Sequence, residues 1–279
     1  MLKYIAAFDG LKYSLATRDY AIHLSRQAYA HLVGVFLDDV TYTSYKIYEM
    51  ISEKGVTEDR IQELEKIDVE KRKQAATDFE TVCKAEDMVC DVHHDEQVAL
   101  QELIHESLFA DLLIIDRKET LTHYEENTPT RFIQDLFAEV HCPVLLVPSQ
   151  YQPVEQILLL YDGSPDSIYA LRMFSYVCSA IKYLPTTLVQ VAEQGNKTPS
   201  DAMLLKEFLK RHYPAATIHM LAGDPESAIR AFLLEQSVAS MLVLGAYGRG
   251  NLSRWMRPSM ADRLMEQFNL PLFIAHRKA

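Results

Sequence analysis

The sequence is 279 residues long, comfortable for two α/β domains of about 140 residues each. Lys and Arg number 28 against 39 Asp and Glu, a formal charge of −11, which disfavours nucleic acid and anionic membrane as partners and requires any anion site to be local. The start, MLKYIAAFDG, lacks a signal-peptide pattern, and no run approaches the roughly 18 apolar residues of a membrane helix, so a cytoplasmic protein is expected.

In chain order, the apolar run at 4–8 predicts a buried strand closed by Asp9 and Gly10, followed by a helical pattern to residue 25. The segment 39–85 is next, where DDVTYTSYKIYEM leads into the charged helical stretch TEDRIQELEKIDVEKRKQAATDFETV. It reads either as a solvated helix packing one stripe on its own sheet or as an arm covering a partner surface, with Tyr42, Tyr45 and Tyr48 nearby. HHDE at 93–96 brings two histidines and two carboxylates together, but neighbours on a strand point to opposite faces, so no metal is expected there. Cys83, Cys90, Cys142 and Cys178 form no C-x-x-C pair and are read as reduced, buried, structural thiols.

A repeat organises the whole chain. YIAAFDGLKYSLATRDYAIHLS at 4–25 matches ILLLYDGSPDSIYALRMFSYVCS at 157–179, ADLLIID at 110–116 matches ASMLVLG at 239–245, and HCPVLLVP at 141–148 matches NLPLFIAH at 269–276. Strand-like runs alternating with helical stretches predict, in each copy, a doubly wound five-stranded parallel sheet of Rossmann-like type. The second-copy strands fall near 156–161, 186–191, 215–221, 239–244 and 271–275, and QYQP at 150–153 reads as the boundary between domains 1–149 and 154–279. Copy one carries about 25 extra residues, mainly within 39–85.

After the fourth strand of copy two comes GAYGRGNLSRWMRPSM, spaced Gly245-x2-Gly248-x9-Pro258-Ser259. It lacks the lysine of a P-loop and is not the dinucleotide fingerprint G-x-G-x-x-G, and no nucleophile motif or catalytic base is legible anywhere in the chain. The spacing resembles that of the universal stress protein family, whose nucleotide-binding members carry G-x2-G-x9-G-[S/T] after the fourth strand. The likeness extends over both copies, through YDGSPDSIYALR, AGDPESAIRAFLLEQSVASMLVLGAYGRG and NLPLFIAH, so the chain resembles the tandem two-domain form.

The resemblance implies an ATP site, with or without Mg2+, at the carboxyl ends of the second-copy strands. Asp162 would accept from the adenine amino group, Val191 would meet the base through its backbone, and Gly245 would lie against the ribose. Gly248, Ser259 and Met260 would face the phosphates with N–H groups. Pro258 departs from the family glycine, removing one N–H donor, which weakens binding rather than abolishing it. Arg249, Arg254 and Arg257 are either phosphate partners or a solvated helix face. Copy one has DRKETL in place of GAYGRG, so Asp116 and Glu119 replace Gly245 and Gly248, and Arg131 stands about where Ser259 does. Asp9 is left to end its strand and cap the helix, in a domain expected to be empty or differently occupied.

The expected function is a stress-response regulatory protein that binds an adenine nucleotide without catalysing a reaction on it. The alternatives are an interaction or scaffold protein of the same fold, favoured by Pro258, and a slow ATP hydrolase, for which no oriented base is legible. The resemblance further implies that the two domains pair as an intramolecular pseudo-dimer through their last strands, with a homodimer of chains as a further assembly.

Overall fold

The computed structural model describes residues 1–37, 58–95, 98–122, 124–192, 201–246 and 260–277, which form two compact units, 1–142 and 143–279. Tyr42, Tyr45, Tyr48 and residues 39–57 of the expected insertion lie outside the described residues.

The first unit runs β1 (Lys3–Asp9), α1 (Leu15–Ala28), β2 (His31–Leu37), α2 (Glu58–Ala85), β3 (Cys90–Asp95), α3 (Ala99–Ser107), β4 (Leu112–Asp116) and α4 (Arg131–Glu139). Its strands are parallel in the order β3-β2-β1-β4. β1 and β2 are each buried at six of seven positions, because helices cover both faces of a parallel sheet and leave no polar side for the sequence to mark. Tyr4 stands level with Leu32 on one side and Leu112 on the other.

α2 packs one stripe onto its own sheet through Ala75, Ala76, Phe79 and Cys83. Phe79, fully buried, lies 5.5 Å from the Phe8 ring and 6.1 Å from the Phe36 ring, and Gly34 makes room for it: a Cβ there would stand 2.8 Å from the Phe79 ring. At 28 residues α2 is about 42 Å long, far longer than its second-unit counterpart, so part of the extra length of copy one is helix. Beyond the packed stripe, Ile67 and Val69 of α2 face solvent.

The second unit runs β5 (Val144–Val147), β6 (Gln156–Leu160), α5 (Pro165–Val177), β7 (Thr186–Val191), α6 (Ala202–His212), β8 (Thr217–Leu221), α7 (Pro225–Leu234), β9 (Ser240–Gly245), α8 (Met260–Gln267) and β10 (Leu272–Ala275). Its order is β5-β10-β9-β6-β7-β8, all parallel except β5, which runs antiparallel to β10 with Leu146 opposite Leu272 and Val144 opposite Ile274. The units therefore divide between Cys142 and Pro143, ahead of the polar stretch 150–153, because the apolar run 144–147 gives its ladder to β10. α5 and α7 begin alike, with Ser164 and Asp224 accepting from the N–H two residues into each helix and proline at its first position, where no N–H is needed.

All four cysteines are free thiols, but only Cys83 and Cys178 are buried; Cys90 and Cys142 are half-buried, at the start of an edge strand and at the join between units. His93 and His94 diverge as strand alternation requires: His93 Nδ1 lies 2.6 Å from Glu106 of α3, whereas His94 sits beside Phe36. Truncating the anchor of α2 tests its packing: Phe79→Ala should cost about 3–5 kcal/mol in urea unfolding. A loss under 1 kcal/mol would mean that α2 is not held by this contact.

Candidate functional site

In the second unit the chain reverses direction across the sheet at β6, which has β7 on one side and β9 on the other. Connections leave the two strands on opposite faces, so a crevice opens at their carboxyl ends, where open α/β sheets bind ligands. Leu160 pairs with Val189, so Asp162, two residues on, comes level with Val191; Leu159 pairs with Val243, so Gly245 comes level with Tyr161. Asp162, Val191 and Gly245 thus lie on one edge, carried by three adjacent strands. Met260 is the first residue of α8, on the same side of the fold as the end of β9. Gly248 and Ser259, with Pro258, Arg249, Arg254 and Arg257, lie outside the described residues.

Asp162 is exposed, and its Oδ1 accepts from the Ser164 N–H at 2.9 Å, forming a tight turn through Gly163 at φ 81°. Ser164 then caps α5, its Oγ accepting from Ser167 N–H at 3.1 Å. The second carboxylate oxygen of Asp162 points from an exposed turn and is open to a donor. Gly245 has a packing reason to be glycine: a Cβ there would stand 2.6 Å from the Ser167 nitrogen and closer still to the Asp166 carbonyl. The first turn of α5 is laid directly on the end of β9. Arg277, beyond β10, adds a cation near that turn, with Nε 3.4 Å from Asp166 Oδ1.

The first unit builds the equivalent edge differently. Four residues separate Asp9 from the helix cap Ser14, where a single residue separates Asp162 from Ser164. Two of the added residues fill the edge: Lys12 Nζ donates to Thr120 Oγ1 at 3.2 Å and to the Thr122 carbonyl, and the Tyr13 ring packs 5.1 Å from Phe8. Burial, followed by the neighbouring Asp78 charge, pushes the Tyr13 hydroxyl far above its ordinary range. Asp116, the counterpart of Gly245, accepts from Ser14 Oγ at 2.9 Å and from Lys118 N–H at 2.9 Å. Glu119, the counterpart of Gly248, is buried and accepts from the Thr120 and Leu121 N–H groups, both at 2.9 Å.

One expectation for this edge is corrected. Asp9 does not cap α1: its Oδ1 accepts from Leu11 N–H at 2.8 Å within the turn, and Ser14 Oγ takes the Thr17 N–H. Arg131 stands where Ser259 does in the repeat, since the buried positions Ile133, Leu136 and Phe137 of α4 and Ala261, Leu264 and Met265 of α8 are each 128 residues apart. Thr130 caps α4 and donates from Oγ1 to the Glu119 carbonyl at 2.5 Å. Lys12 and Thr130 are the functional residues that sequence reasoning missed; the longer Asp9–Ser14 spacing was the available signal for Lys12.

Comparison with known proteins agrees with this architecture. Residues 153–276 match the sequence model of the universal stress protein family. This part of the chain is thus similar to the universal stress protein family. A universal stress protein from Synechocystis is 21% identical over 164 residues, 58% of this chain and 56% of the relative, so the chain spans about half the length of that relative. The crystal structure of a universal stress protein from Archaeoglobus fulgidus superposes with a TM-score of 0.70 at 15% identity, covering 99% of this chain and 98% of that one. A functionally unknown protein from Pseudomonas aeruginosa gives 0.60 at 12% identity over 98% and 92%. At these identities the structures show the fold, Rossmann-like α/β, and the two-unit layout is consistent with the tandem form of the family. Among the described residues, no helix is long and apolar enough to cross a membrane, and no group of three His, Cys, Asp or Glu could hold a metal ion.

In the second unit, Gly245 can be tested apart from any ligand. Gly245→Ala forces α5 off the end of β9 and should destabilise the chain by about 1–3 kcal/mol in denaturant unfolding without nucleotide. An unchanged midpoint would show that the junction has slack and free Gly245 for a purely ligand-facing role.

Proposed function

We propose that this chain is a tandem universal stress protein in which the second unit binds an adenine nucleotide, ATP, as a regulatory ligand, and the first unit does not. The observation that carries this reading is the contrast between the two carboxyl edges: Asp162, Val191 and Gly245 line one that has an exposed carboxylate, whereas Lys12, Asp116 and Glu119 occupy the other. In this reading Asp162 accepts from the adenine amino group through the oxygen that Ser164 leaves open, the Val191 backbone meets the base, and Gly245 admits the ribose. Gly248, Ser259 and Met260 turn N–H groups toward the phosphates, where a helix start favours negative charge. Any Mg2+ arrives with the phosphates, since among the described residues the edge brings no carboxylate cluster of its own.

No residue of this edge is proposed as a general base, so the nucleotide is a signal rather than a substrate. The antiparallel pairing of β5, from the first repeat, with β10 supports a pseudo-dimer of the two repeats within one chain. The reading includes a regulatory role in the cytoplasm, in line with the similarity of residues 153–276 to the universal stress protein family.

Calorimetry of ATP and adenosine against the natural chain, Asp162→Ala and Pro258→Gly tests the site. Asp162→Ala should weaken both ligands about equally, because it removes a base contact. Restoring an N–H at position 258 should strengthen ATP by up to about 3 kcal/mol and leave adenosine unchanged. Failure of the natural chain to bind either ligand would favour the rival reading, an interaction protein whose loop Pro258 has remodelled.

A further inference from the structure

The outer face of α5 and α6, in the second unit, carries a cluster of aromatic and basic side chains that the nucleotide reading does not use. The two helices pack through Phe174 and Tyr213, whose rings stack 6.5 Å apart, and the Tyr213 hydroxyl donates to the Leu171 carbonyl. Beside this contact His212 Nδ1 donates to Ser175 Oγ at 2.8 Å, since the Ser175 hydroxyl is spent on the Arg172 carbonyl at 2.7 Å. The imidazole, so held, joins the two helices: its ring lies 4.4 Å from that of Phe208 and 5.4 Å from that of Tyr176. Arg172 stands one turn before Tyr176, its guanidinium 5.5 Å from the Tyr169 ring, and Leu204 stands one turn before Phe208. Beyond α5, Lys182 lies 5.3 Å from the Tyr183 ring. Tyr176, Tyr183 and Leu204 are 55%, 66% and 61% exposed.

The cations of this face lack carboxylates. α5 and α6 contain one each, Asp166 in the first turn of α5 and Glu207, and among the described residues Arg172, Lys182 and Arg211 have no carboxylate partner. The matching helix pair of the first unit differs: Arg18 of α1 meets Asp78 of α2 at 2.7 Å, and Arg26 meets Glu86 just past the end of α2. The first unit neutralises this face from within, whereas the second leaves it basic in a chain of net charge −11. Burial, then the Lys182 and Arg172 charges, hold the His212 imidazole below its ordinary value, so both cations act on the same spot. A helix dipole accounts for cations in the last turn of α6, but not for Arg172 within α5 or for the exposed tyrosines and Leu204.

We propose that this face docks a short acidic protein segment, whose carboxylates pair with Arg172, Lys182 and Arg211 and whose apolar side chain settles on Tyr176, Leu204 and Phe208. Tyr and Arg most often dominate protein interfaces, and here ring contacts already position Tyr176 and Arg172, so docking costs little side-chain freedom. The charge selects the partner. A nucleic acid brings phosphates along its whole length and meets the negative charge of the rest of the chain, whereas a short acidic segment need meet only the basic face. The surface is made of helix faces rather than the carboxyl edge of the sheet, so it stands or falls independently of nucleotide binding.

The test uses the full chain and a short labelled peptide of Glu, Leu and Ala that sets Glu and Leu on one helical face. Fluorescence anisotropy should show saturable binding that weakens as salt rises. The same peptide with Gln for Glu should bind about tenfold more weakly or worse, and Arg172→Glu combined with Arg211→Glu should weaken the Glu peptide at least as much. Both arginines are exposed, so the urea midpoint of that variant should not move. Tyr176→Ala should weaken both peptides, because it removes part of the apolar seat. Absence of saturable binding, equal binding of the two peptides, or a double variant that binds like the natural chain would overturn the proposal. Tighter binding of a short oligothymidylate than of the Glu peptide would overturn it too, in favour of a nucleic-acid face. The comparison of peptides on the natural chain decides even if a variant fails to fold.

Discussion

The second unit is organised around one contact: the first turn of α5 rests on the end of β9 with no space for a Cβ at Gly245. That contact fixes where α5 starts, and so where its cap Ser164 stands and how short the turn from Asp162 can be. A one-residue turn keeps Asp162 at the rim with one oxygen unspent. Close helix–strand packing at a glycine is a recurrent device of nucleotide-binding α/β folds, because the same missing side chain that admits a helix also lets ligand approach backbone.

The first unit solves the same junction without glycine. Asp116 reaches the start of α1 by a side-chain hydrogen bond to Ser14, and the longer turn carries Lys12 and Tyr13 into the space in front of the sheet. In the same edge Glu119 is buried, and burial, followed by the Asp9 charge, raises its carboxyl. The degeneration of this edge is thus a single linked change in turn length, strand-end residue and charge. Where the second unit has an exposed carboxylate at its edge, the first has a filled edge.

Much of the fold was legible in the sequence because parallel strands buried on both faces appear as bare apolar runs, and the tandem repeat supplied each run twice. The apolar pattern of PVLLVP does not itself name a partner; its pairing with the last strand of the second copy was expected from the family resemblance, and β5 does ladder onto β10. At the candidate site, Asp162 and Gly245 were singled out through the family resemblance, but the packing demand on Gly245 depends on a helix brought up from 78 residues earlier in the chain. Asp9 and Asp162 looked equivalent, and the length of the turn after each made them different. Glu119 lay in DRKETL, a stretch with the composition of a solvated loop, and its burial depends on Lys12 and Thr130 closing over it from distant segments.

The central claim, one nucleotide site per chain and in the second unit, is tested most directly by native mass spectrometry of the full chain titrated with ATP. A single added nucleotide per chain is expected at saturation, and none for Gly248→Asp, which sets a carboxylate against phosphate as the first unit does. Two nucleotides per chain, or undiminished binding by Gly248→Asp, would contradict the account.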